Sequence, residues 1–175
     1  MASLTSRRCI EPSSTDTITS NSETAFSRTL KIPAYELGKH SLLRFGGAAI
    51  HTVTNGTDTQ RIRVYLGTAK DATGVLIADT TAVDGANNDI AAFNGALEVK
   101  TPGAASTAVV EGMGVASAKA GGTANPVTFG AASSKLDTTA DMYLTVTAVH
   151  SAASGNTSRL DSLWCEVSKL EAAAS

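Results

Sequence analysis

Apolar and polar residues alternate with a period of two along much of this chain, as expected for strands with one buried face. In RIRVYLG, Ile62, Val64 and Leu66 alternate with Arg61, Arg63 and Tyr65. In MYLTVTAVH, Met142, Leu144, Val146 and Ala148 alternate with Tyr143, Thr145, Thr147 and Val149. Phe26, Leu30 and Ile32 alternate with Ser27, Thr29 and Lys31 until Pro33 ends the run. Leu43 and Phe45 begin a strand in SLLRFGGAAIHTV, where Gly46 and Gly47 suggest a bulge or bend. VLIAD, DIAAFNGALEVKT and AVVEGMGVASA are further strand candidates, the last loosened by Gly112 and Gly114. TNGTDTQ, DGANND, AGGTANP and SAASGNTS read as turns or loops, because Asn, Asp, Gly and Ser satisfy tight backbone turns. The tetrapeptide DTTA occurs at Asp79–Ala82 and again at Asp137–Ala140, each copy expected to make a similar turn into a strand. No window shows convincing helical spacing.

The segment RLDSLWCEV (Arg159–Val167) closes the series and poses a question. Strict alternation puts Asp161, Leu163, Cys165 and Val167 on one face, which suits a core. It puts Leu160, Ser162, Trp164 and Glu166 on the other. That second face carries the one tryptophan of the chain and needs a cover.

Roughly eight to ten strands separated by turns, with almost no helix, define an all-β sandwich or barrel. About eight strands in two facing sheets would be a jelly-roll β-sandwich. An immunoglobulin-like sandwich is disfavoured, since the Cys–Trp–Cys spacing is missing. Residues 1–24 are rich in Ser and Thr and read as a short N-terminal arm, extended or mobile until bound. Residues 25–170 form the sandwich and 171–175 a tail, with KLEAAAS favouring a short helical turn or a frayed end.

Composition narrows the function classes. The 175 residues fit one domain with a real core. Charged residues are 17% of the chain, against about 25% in typical domains. The deficit is filled by Ala, Thr, Ser and Gly, which supply little reactive chemistry. A net charge of −2 gives no electrostatic footprint for nucleic acid. There is no polybasic patch or long apolar run to suggest a membrane partner. Arg7 and Arg8 are followed by no apolar run, so no secretory signal is expected. Cys9 and Cys165 read as a surface thiol and a core-facing thiol rather than a disulfide framework.

Catalytic signals are absent from the sequence. His40, His51 and His150 show no i, i+2 pair of the kind a cupin-type metal enzyme uses. Asp84–Asp89 offers oxygen ligands but lacks the spacing of a calcium loop, and reads as a polar turn. There is no G-x-S-x-G elbow and no phosphate-binding loop. Eight aromatic residues in all leave few rings for a sugar groove. The shared face of Arg61, Arg63 and Tyr65 reads as a solvated strand or a subunit contact. No catalytic, cofactor or metal residue is therefore expected, and the protein is not expected to be an enzyme.

Several stretches, taken in order, carry a resemblance. IPAYELGKHSLLRFGG, TNGTDTQRIRVYLGT, DTTAVDGANNDIAAF, LDTTADMYLTVTAVHS and SGNTSRLDSLWCEV together resemble a jelly-roll domain of tailed-bacteriophage virion proteins. The resemblance spans about residues 17 to 170. Such domains look like building blocks of capsid decoration (cement) proteins, head fibres and tail-fibre tips, often as trimers, and bring no catalytic residues with them. The resemblance implies a structural protein on the outer capsid surface of a virion, made in the host bacterial cytoplasm. Its partners would be itself, as a homotrimer, and the major capsid protein, with neither nucleic acid nor membrane. A short arm with one compact sandwich suits lattice decoration. The alternative is a host-recognition or tail-tip module. On this reading Arg7, Arg8 and Ile10 of the arm would touch the capsid. Leu160, Trp164 and Tyr65 would lie at a subunit interface.

Overall fold

A computed structural model describes residues 3–10, 16–52, 57–118, 123–132, 135–152 and 155–170. The strands are β1 (Ser3–Ile10), β2 (Thr17–Ile18), β3 (Thr24–Ala25), β4 (Leu30–Ile32), β5 (Leu42–Thr52), β6 (Thr59–Gly67) and β7 (Val75–Asp79). They continue with β8 (Val83–Asp84), β9 (Ile90–Thr101), β10 (Val109–Ala118), β11 (Asn125–Ala132), β12 (Met142–His150) and β13 (Thr157–Leu170). No helix occurs among the described residues.

Two antiparallel sheets face each other. Sheet A runs β1-β13-β5-β9-β10-β11, with β2 also on β13. Sheet B runs β3-β12-β6-β7, with β4 beside β3 on β12 and β8 on β6. If β1, β4, β5, β6, β7, β9, β12 and β13 are numbered 1 to 8, the sheets read 1-8-3-6 and 2-7-4-5. That is the jelly-roll order, as expected from the sequence. The β10–β11 hairpin is an addition to the edge of sheet A. It curls toward β7, and Gly114 makes the approach close: a Cβ there would lie 1.7 Å from the Ile77 carbonyl oxygen.

The core is the inward row of each strand. Leu43, Phe45, Ile62, Val64, Leu66, Leu144, Val146, Leu163 and Cys165 are all fully buried. Burial pushes the Cys165 thiol up to about 11, so it is an unreactive core group, while Cys9 is exposed.

Three elements differ from the sequence reading. Within the 24 N-terminal residues assigned to an arm, Ser3–Ile10 is an edge strand of sheet A, paired along its whole length with β13. Its inward Ser6, Arg8 and Ile10 are half-buried and its outward Thr5, Arg7 and Cys9 exposed, a pattern too polar to stand out as a strand. Asn125 and Pro126, the end of the loop expected in AGGTANP, open β11 (Asn125–Ala132), an edge strand that tolerates the proline. Lys169 and Leu170, expected to begin a helical turn or frayed end, close β13, and the tail at residues 171–175 lies outside the described residues.

The third difference answers the question set by RLDSLWCEV. The pairing of β13 with β5 shifts between Leu160 and Ser162, while β5 stays in unbroken register with β9. The bulge expected in β5 at Gly46–Gly47 is therefore in β13, at Asp161. One extra residue switches the face of everything before it. Leu160 joins Leu163, Cys165 and Val167 in the core and is 0% exposed.

The bulge is held from outside the sheet. The Leu160 N–H donates to the Asp16 carbonyl (3.2 Å), and the Leu160 carbonyl accepts from Arg28 Nη2 (2.5 Å). The Asp16 carboxylate fixes this clamp by accepting from the Ser27 N–H (2.8 Å), Ser27 Oγ (2.9 Å), the Arg28 N–H (3.2 Å) and Arg28 Nε (2.9 Å). Burial pushes the Asp16 carboxyl up, but these donors outweigh it and hold the group below its ordinary value of 3.8. A depressed carboxylate contributes stability that is full at neutral pH and lost as pH falls below that value. Asp16→Ala is expected to destabilise by about 3 kcal/mol in urea unfolding at pH 7, because four donors, one of them the Arg28 guanidinium, lose their acceptor.

The repeated DTTA segments behave alike. Asp79 Oδ1 accepts from the Thr81 N–H (2.8 Å) and Asp137 Oδ1 from the Thr139 N–H (2.9 Å). Each aspartate closes a turn onto the residue two places on, the local bond that favours Asp there.

Candidate functional site

The outward faces of the two sheets differ in chemistry. Sheet B is covered by an interlocked polar network. Arg61 makes a two-pronged contact with Asp79 (2.8 and 2.5 Å). Glu23 accepts from Arg63 (2.5 Å), Tyr65 (2.9 Å) and Thr147 (2.7 Å). Tyr65, expected at a subunit interface, is thus 7% exposed and engaged within its own chain. Burial, then the bond to Glu23, pushes its phenol up to about 12.

Sheet A presents the opposite character. The register aligns Trp164, Gly46, Asn94, Val115 and Pro126 in one row across five strands. The next rows hold Ala96, Met113 and Thr128 on one side and Ser162, Ala48, Ala92 and Ser117 on the other. Ile50 and Ile90 continue the surface. Its outward charges stand at the edge of these rows, Arg44 in register with Ala96 and Arg159 with Ile50. Met113 is 49% exposed and Ile90 53%, two of the three large apolar side chains that stand exposed among the described residues.

Trp164 forms one wall of this face. Its indole lies flat on Gly46, where a Cβ would sit 2.8 Å from Cζ2. Only glycine allows that approach, so the Gly46 anticipated as a bend is instead a seat for the indole. The Arg7 guanidinium lies over the ring, 5.9 Å from its centroid. Trp164 is half-buried between strand and arginine. Beside it runs an open groove of about 400 Å³ lined by Arg44, Asn94, Ala96, Met113 and Val115. Charges mark the border: Arg44 pairs with Glu166 (3.4 Å), and Lys100 with Glu98 (2.5 Å) and Glu111 (3.7 Å).

The structure therefore separates the residues singled out from sequence. Arg7 and Trp164 come together on the outer side of sheet A. Leu160 does not join them; the bulge turns it into the core. Arg8 bonds Glu36 (2.6 Å), which Ser6 also donates to, so it is committed within the chain. Ile10 packs against the core. The sequence reading missed Met113, Val115 and Ile90 as surface residues, although their alternation with Gly112, Gly114 and Ala91 was visible.

Among the described residues no group of three or more His, Cys, Asp or Glu side chains could hold a metal ion. In the Asp84–Asp89 turn, Asp89 Oδ2 accepts from the Ala86 N–H (2.7 Å) inside its own loop. No helix among the described residues is long and apolar enough to cross a membrane.

No family model matches the chain, and no curated protein does either. Among solved structures, the VP2 subviral particle of infectious bursal disease virus aligns with 95% of this chain at 14% identity and a TM-score of 0.29. The chain spans 40% of the length of that VP2 chain. A likeness at that level adds nothing to the strand order itself.

Proposed function

We propose that this protein is a structural component of a tailed-bacteriophage virion, a decoration protein that seats on the outer head surface and stabilises the capsid lattice. The observation that carries the reading is the outer face of sheet A, small, apolar and neutral at its centre and walled by the Arg7–Trp164 stack. It is supported by the jelly-roll strand order and by the sequence resemblance over about residues 17 to 170.

Size argues for several simultaneous contacts rather than one. Five strands about 4.8 Å apart and six residues of about 3.4 Å rise enclose roughly 400 Å². A stable pairwise complex buries about 800 Å² on each partner. A face of this size contributes a useful share only when neighbours, of this chain or of the capsid protein, supply the rest, as on a lattice around a threefold axis. Arg7 of the proposed capsid-contacting set keeps an exposed guanidinium edge for acidic groups. Arg8 and Ile10 would act by holding β1 in the sheet.

Met113→Glu tests the reading, since a charge placed mid-face must be desolvated on docking. Binding to heads stripped of the protein is expected to fall at least tenfold, with the thermal midpoint moving by less than about 2 °C. Undiminished binding would remove sheet A from the contact.

One observation favours the host-recognition alternative. Tyr35 is 72% exposed at a left-handed φ of 63°, and its N–H donates to the Thr138 carbonyl (2.7 Å). A rigidly presented aromatic at the loop end of a sandwich suits ligand capture. On that reading Tyr35→Ala abolishes cell adsorption and leaves head binding intact.

A further inference from the structure

Two imidazoles sit inside the sandwich at the end opposite Tyr35. His51 on β5 is 0% exposed and His150 on β12 is 2% exposed. They bracket the buried Ser158 on β13: His51 Nδ1 is 2.7 Å and His150 Nε2 2.9 Å from its Oγ. His150 Nδ1 lies 3.1 Å from the Ser20 carbonyl.

These contacts fix the protons. A carbonyl only accepts, so His150 carries its hydrogen on Nδ1 and the bare Nε2 accepts from the Ser158 hydroxyl. Ser158 Oγ then accepts from His51 Nδ1–H. His51 Nε2 is left bare, buried and without a hydrogen-bond partner. A proton added there creates a buried cation whose new donor has nothing to reach.

The same residues hold the neighbouring segments by their main chains. The His51 N–H donates to the Asp89 carbonyl (2.9 Å), and its carbonyl accepts from the Asn88 N–H (2.8 Å). The His150 N–H donates to the Ser20 carbonyl (3.2 Å). Ring chemistry and closure of this end therefore share two residues.

We propose that His51, Ser158 and His150 form a proton-operated latch, which keeps this end of the sandwich closed while both rings are neutral and opens it in acid.

The charges around the latch favour that direction. His51 faces Ser158 from β13 and, beyond it, His150 from β12. The one carboxylate, Asp89 from the β8–β9 turn, is bonded to Ala86. Burial, then His150, lowers His51 from 6.5 to about 4, against a smaller opposing pull from Asp89. Burial also lowers His150, with the Ser20 and Thr157 backbone opposing. A histidine depressed in the closed state contributes closure that is full above pH 6.5 and is lost as pH falls from there toward 4.

Hydrogen exchange read by mass spectrometry, corrected for intrinsic rates, tests the latch. Between pH 7.5 and pH 5, peptides covering residues 16–25, 86–91 and 148–160 are expected to open about 30-fold more, the linkage of one such histidine. Peptides covering 33–41 and 135–141 at the far end are expected to hold. In His51→Asn the amide keeps a donor to Ser158 and cannot take up a proton, so the difference between the ends shrinks to what His150 alone contributes. Both ends responding alike in the wild type, or an undiminished response in H51N, overturns the proposal. Should H51N fail to fold, ring nitrogen chemical shifts of the wild type decide at pH 7.5. A bare His51 Nε2 is expected, and a protonated one refutes the latch.

Discussion

Leu160→Asp is expected to leave the chain without a cooperative unfolding transition at 25 °C. The bulge at Asp161 turns Leu160 into the core, where it is 0% exposed. Losing that side chain costs about 2–5 kcal/mol. A buried carboxylate with no partner costs several more. The sum approaches the whole stability of an ordinary domain, about 5–15 kcal/mol. Deletion of Asp161 removes only the extra residue. Ser162 stays opposite Ala48 and Leu160 opposite Ala49, so each side chain keeps its face and a cooperative transition is expected to survive. Asp161→Asn loses only the surface pair with Arg159 (3.2 Å), so it is expected to shift stability by less than about 1 kcal/mol. Far-UV and near-UV circular dichroism checks all three variants. A folded Leu160→Asp would mean that Leu160 faces solvent and that the bulge does not set the faces of β13.

Gly114→Ala is the second large effect, expected at 4 kcal/mol or more in urea unfolding. Its Cβ would meet the Ile77 carbonyl oxygen at 1.7 Å and carbon at 2.8 Å. Both are backbone atoms, so no side-chain rotation relieves the clash. The β10–β11 hairpin must lift away from β7, exposing Ala116, Ala118 and the buried side of Phe129. Gly130→Ala, on the outward side of the same hairpin, meets only the flexible Glu111 Cγ at 3.4 Å and is expected to change little. A hairpin that merely decorates the edge would tolerate both substitutions equally.

Much of the fold was legible because alternation survives wherever one face is wet. β6 and β12 read directly, since Ile62, Val64, Met142 and Leu144 alternate with polar partners. What stayed hidden depends on backbone accounting. The bulge at Asp161 follows from a clamp formed by Asp16 and Arg28, more than 130 residues away for Arg28 (132), which no local window contains. β1 was obscured because an edge strand is short of apolar residues. The candidate face was half legible. Trp164 announced itself as an unexplained large side chain, but its seat on Gly46 is a cross-strand register fact. Leu160 was misplaced for the same reason. The two buried histidines gave no sequence signal, because 99 residues separate positions whose rings meet only through Ser158 (150 − 51 = 99).

Immunogold electron microscopy of the virion carrying this protein, with antibody raised to the purified chain, tests the central claim most directly. Gold spread evenly over the head is the predicted result. Gold confined to the tail tip would contradict lattice decoration and shift attention from sheet A to the loop that presents Tyr35.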